Sequence, residues 1–120
     1  MQNFVYVFVG SGIGGCVRYG LSSILTKYNF TLPIYTLVAN VLACFILGMT
    51  MNYLSQQNEN NPLKFLIAIG ICGGMSTYST FSYEILQQMN SGAWGQVVLY
   101  TVSTLVICLG ATFLGLKVSM

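Results

Sequence analysis

Long apolar runs alternate with short polar connections along the chain. The runs cover about 4–25, 34–54, 63–89 and 94–116. Each is long enough for a helix to cross the hydrocarbon core, which takes about 20 mostly apolar residues. The second and fourth runs carry no charge, and the first encloses Arg18. The longest polar stretch, 55–62 (SQQNENNP), reads as a solvated loop whose Pro62 suits a helix start. The third run is interrupted by a polar, glycine-containing segment at 73–82. The pattern predicts an all-α membrane protein of four transmembrane helices, with the third helix broken. One four-helix domain over 1–120 accounts for the whole chain, leaving no room for a soluble domain.

Composition narrows this further. Of 120 residues, 55% are hydrophobic and 5% are charged. A soluble domain carries about 25% charged residues. A net charge of +2 without clustered Lys or Arg gives no nucleic-acid footprint. The chain has no His, the commonest catalytic base and metal ligand. These counts argue against a soluble enzyme, a nucleic-acid binder and a disordered chain. The first run reads as a retained span rather than a cleaved signal, because no basic segment precedes it and Arg18 lies within it. Cys16, Cys44, Cys72 and Cys108 each fall inside a run, with no CxxC pair. Small buried residues in helix packing are the expectation for Cys16, Cys44 and Cys72, rather than a disulfide or zinc framework.

Four crossings place both termini and the 55–62 loop on one side, with Lys64 and Lys117. The opposite side holds Lys27. Orientation follows Lys/Arg asymmetry in short loops, and here that asymmetry nearly vanishes. The chain is therefore expected to insert both ways. Two copies of opposite orientation would pair about an axis in the membrane plane.

Gly10, Gly12 and Gly15 form a GxGxxG after an apolar run. The acidic residue of a dinucleotide site is missing about 20 positions later, and nothing suggests a βαβ unit. The pattern reads instead as a small-residue packing face of Gly10 and Gly14, extended by Gly12 and Cys16.

Polar groups at membrane depth are costly, so each is a functional candidate. Arg18 either snorkels to the headgroups or attracts anions at the mouth of a water-filled cavity. Asn40 either bridges helices or turns its amide donors to an anion, with Thr36 one turn earlier on the same face. The segment GGMSTYSTFS at 73–82 has two glycines and five hydroxylic Ser and Thr residues. It suits a break whose freed carbonyls can bind a cation. Tyr78 and Phe81 are three apart, and two rings presented edge-on would solvate an anion weakly. Tyr100, Thr104, Cys108 and Thr112 recur every four residues as a hydroxyl and thiol stripe. That stripe reads as a pore lining or as helix–helix hydrogen bonding. Glu84 is placed facing a water vestibule.

The segment GGMSTYSTFSYE resembles the GGxTTFSTFxxE signature of the Fluc/CrcB fluoride channels. The GxxxRY around Arg18 and the ANVLACFILG around Asn40 are similar to that family's first and second helices. The resemblance covers the whole chain and implies an antiparallel dual-topology homodimer with two fluoride pores. It implies a structural sodium ion at the dimer centre, held by the backbone carbonyls of Gly73 and Ser76. The pore aromatics fall on Tyr78 and Phe81, with Tyr78 departing from the family's phenylalanine. Asn40 matches the pore asparagine, Arg18 the vestibule arginine and Glu84 the glutamate after the motif. The fourth-helix polar track falls on Tyr100, Thr104, Cys108 and Thr112, with the thiol a departure. The implied setting is a bacterial inner membrane and the implied role is passive fluoride export. A small proton-coupled drug exporter would carry an acidic residue in its first helix, where this chain has only Arg18. A non-transporting accessory subunit would have no reason to keep a polar stripe beside a broken-helix motif.

Overall fold

The computed structural model describes residues 1–120 and is entirely helical. Helix α1 covers Gln2–Leu25 and α2 covers Ile34–Ser55. The third span opens as a π-helical segment, Lys64–Ile71, and continues as α3, Cys72–Met75. Helix α4 covers Tyr78–Asn90 and α5 covers Trp94–Val118. Four stretches are long and apolar enough to cross a membrane, with 64–90 counted as one. The longest dimension is 49 Å, slightly more than the ~40–45 Å of a bilayer with its headgroups.

Large apolar side chains such as Phe8, Leu105, Leu109 and Leu114 point outward. In water these would be a liability, but in lipid they face a solvent as apolar as themselves. The interior is made instead from small residues. A Cβ at Gly10 would strike the Leu66 carbonyl and Gly70 Cα, and one at Gly14 would strike the Ile71 carbonyl. Gly70 and Gly74 answer from the third span, against Gly10 and Ser11. With little hydrophobic drive between helices in lipid, such backbone contact supplies the packing energy.

Gly12 and Cys16 do not extend this face. Both are exposed, and open space surrounds the Gly12 Cβ position. Two positions along a helix turn about 200°, which carries them to the opposite side of α1. Of the cysteines, Cys72 is buried, Cys44 and Cys108 are half-buried, and Cys16 faces outward, against the expectation that it is buried.

Helices α2 and α5 form the second tight pair. A Cβ at Gly48 would meet the Thr112 carbonyl, and one at Gly115 would meet the Phe45 carbonyl. Contacts advance together along both helices, so the two run parallel. Between α4 and α5, Gly92 takes φ 75°, the only left-handed residue in the chain. Its missing Cβ allows this turn without strain.

Candidate functional site

Ser76 (φ −73°, ψ 150°) and Thr77 (φ −150°, ψ 115°) are extended and separate α3 from α4. Buried backbone groups at membrane depth must find partners. Asn40 on α2 supplies them. Its Oδ1 accepts the Thr77 N–H at 2.7 Å, and its Nδ2 donates to the Thr77 carbonyl at 3.5 Å. The Thr77 hydroxyl then caps α4, accepting the Thr80 N–H at 3.2 Å and bonding the Thr80 and Ser79 hydroxyls.

These two bonds have a consequence for the carbonyls. In a continuous helix the Thr77 amide would donate to the Gly73 carbonyl, and the Thr80 amide to that of Ser76. Both amides are turned to side chains instead. The Gly73 and Ser76 carbonyls are thereby released from helical pairing. Gly73 is exposed, with nothing within 4 Å of its Cβ position. Backbone oxygens of this kind suit a hard cation.

The parallel pair α2 and α5 is a ladder with a rung every four residues. Thr36 and Tyr100 form the first rung through Glu84. Thr36 Oγ1 donates to Glu84 Oε1 at 2.6 Å, and the Tyr100 hydroxyl donates to Oε2 at 2.8 Å. Asn40 and Thr104 follow, then Cys44 and Cys108, and then Gly48 and Thr112. A groove of about 540 Å³ opens along these later rungs. It gathers Asn40, Ser76, Tyr78, Phe81, Thr104, Cys108 and Thr112 from three helices and the extended link between α3 and α4.

Within this groove the Phe81 ring lies 6.1 Å from Tyr78 and 5.1 Å from Tyr100, both at tilted angles. Tyr78 is 81% exposed on this single chain. Thr104 is 9% exposed, and its buried hydroxyl has no hydrogen-bond partner. A buried donor left unpaired costs about 1–3 kcal/mol, so this hydroxyl is a polar group without a partner on a residue that borders the groove.

Other candidate residues lie outside the groove. Thr36 and Tyr100 stand behind it on Glu84, which is 6% exposed and takes both of their hydroxyls. Glu84 also borders a recess of about 360 Å³ with Tyr35 and Gln88 at one end of the bundle. Arg18 lines a separate recess of about 250 Å³ with Thr36, Thr77 and Thr80. Two contributors escaped the sequence reading. Thr101 lines the groove, and its place three residues before Thr104 is a usable signal. Thr77, read only as part of a hydroxylic run, is the joint between Asn40 and α4.

The sequence has relatives along its full length. Residues 5–116 match the family model described as CrcB-like protein, Camphor Resistance (CrcB). A protein of Flavobacterium psychrophilum named fluoride-specific ion channel FluC is 35% identical, over 99% of this chain and 98% of its own. The protein of that name in Phocaeicola vulgatus is 32% identical, over 99% of both chains. Fluoride-specific ion channel FluC 1 of Yersinia pestis is 35% identical, over 90% of this chain and 89% of its own. With a match that spans nearly every residue of the four membrane helices and the groove between them, the chain belongs to the CrcB-like protein family.

Proposed function

We propose that the chain is a fluoride channel, not an enzyme, that exports fluoride passively across a bacterial inner membrane. The observation that carries this is the buried, unpaired hydroxyl of Thr104, a residue that borders a groove with Asn40 and Phe81. Fluoride is small and strongly hydrated, so a pore must replace its water with donors. Hydroxyls, an amide and the positive edges of tilted rings do so without a fixed cation that would trap the ion. Three named relatives support the choice of ion. A negative interior drives an anion outward by about 2.3 kcal/mol per 100 mV.

The working unit is an antiparallel dual-topology homodimer with one pore along each groove. The outward Gly12 and Cys16 face and the 81% exposure of Tyr78 leave surface for the second copy. A structural sodium ion fits the Gly73 and Ser76 carbonyls, because their helical donors are engaged elsewhere. Bound there, it supplies positive charge near the route, as Arg18 does at its mouth. Asn40 serves both ends of this arrangement: it holds Thr77, and it borders the groove.

The test is fluoride efflux from liposomes containing the purified protein, followed with a fluoride electrode and with chloride as the control ion. Fluoride release without chloride release is expected. Efflux equal to that of protein-free liposomes overturns the reading.

A further inference from the structure

The third rung of the α2–α5 ladder is a pair of thiols at membrane depth. Cys44 and Cys108 border the same groove, at matching positions between the Thr36–Tyr100 rung and the close contact of Gly48 with Thr112. One turn further on, Gly48 lets α5 approach to backbone contact, so the rung is held short by packing rather than by flexible side chains. Cys44 lies ten residues into α2, about 15 Å along the helix axis. Both thiols are free and half-buried. The neighbouring rung holds the unpaired Thr104 hydroxyl.

Two facing sulfurs with no third protein ligand suit a soft cation that accepts two-coordinate, linear binding. Copper(I) and silver(I) are of this class, and thiolate is their preferred ligand. We infer that Cys44 and Cys108 form a two-thiolate site for such a cation inside the groove. Binding converts two thiols and M⁺ into a bis-thiolate complex of net charge −1 and releases two protons. No electron transfer is involved. The product both narrows the groove and sets a negative charge on the anion's route, where low dielectric strengthens the repulsion. Occupation therefore closes the groove to anions.

Silver nitrate in chloride-free buffer is the probe. In detergent, wild-type protein is expected to bind one more silver ion per chain than Cys44→Ser. Equal stoichiometry overturns the site, and this arm does not depend on the chain being a channel. The flux arm rests on the fluoride-channel reading. Each protein is reconstituted, and its efflux with silver is compared with its own silver-free rate. At ten times the dissociation constant, mass action leaves about one site in eleven open, so wild-type efflux falls about tenfold. Dithiothreitol restores it. Cys44→Ser and Cys108→Ser keep most of their own silver-free rate, whereas a Cys16→Ser, Cys72→Ser double variant is inhibited like wild type. Equal inhibition of wild type and Cys44→Ser, or none in wild type, refutes the closure. Absence of silver-free efflux refutes the channel reading instead, leaving the stoichiometry to decide the site.

Discussion

Removing the Asn40 amide tests the central joint of the site. Asn40→Ala strips the acceptor held 2.7 Å from the Thr77 N–H and the donor 3.5 Å from the Thr77 carbonyl. Thr77 is 8% exposed, so water does not replace them. An unsatisfied buried amide costs about 1–3 kcal/mol. The amide has one escape, which is to return to the Gly73 carbonyl and rebuild a helical bond. Either outcome disfavours the native arrangement by about 2 kcal/mol, close to a 30-fold change in population. Unfolding titrations in mixed micelles should show that loss, and fluoride efflux from liposomes should drop by about the same factor. Asn29→Ala, which removes an exposed loop amide, serves as the control and should match wild type in both. Wild-type stability and flux in Asn40→Ala would refute the claim that this side chain holds the extended segment.

Four further outcomes are expected. Phe81→Ile should reduce fluoride efflux about tenfold, equivalent to about 1.4 kcal/mol of lost ring interaction, while its size-exclusion profile matches wild type; normal flux would remove the ring from the proposed pore. Gly48→Val should destabilise the fold by about 1–3 kcal/mol in micelle unfolding, because its Cβ meets the Thr112 carbonyl; no change would deny the close approach of α2 and α5. Exhaustive replacement of sodium by a bulky organic cation should lower flux, and full activity after verified removal would argue against a carbonyl-held ion. A C-terminal reporter should label from both faces of the membrane, and labelling from one face alone would refute dual insertion.

What the sequence made legible follows from which forces are local. Four apolar runs announce four helices because each span must satisfy its own backbone in lipid, and Gly10 and Gly14 announce a close-packed face because their spacing is a property of one helix. The π-helical turn of Lys64–Ile71 was not legible. It arises where α1 presses against Leu66, Gly70 and Ile71, and no residue within that segment signals it. The sequence alone places Glu84 facing a water vestibule. It does border a recess, but its carboxylate is spent on Thr36 and Tyr100, partners 48 and 16 residues away in sequence.

The α5 stripe shows the same division more sharply. Its four-residue period is visible in one helix, and so is a candidate lining. The stripe's meaning depends on α2, which repeats the same period with Thr36, Asn40, Cys44 and Gly48. Only a parallel pairing brings those two stripes rung to rung, and the glycines at Gly48 and Gly115 fix the closeness at which they meet. The rungs then differ in chemistry because their third partners differ. Glu84 closes the first, so Tyr100 is 1% exposed and its hydroxyl is committed. At the second, Thr77 takes Asn40, and Thr104 is left unpaired. A periodic stripe of like residues thus becomes graded, with one hydroxyl committed to Glu84 and the next left without a partner.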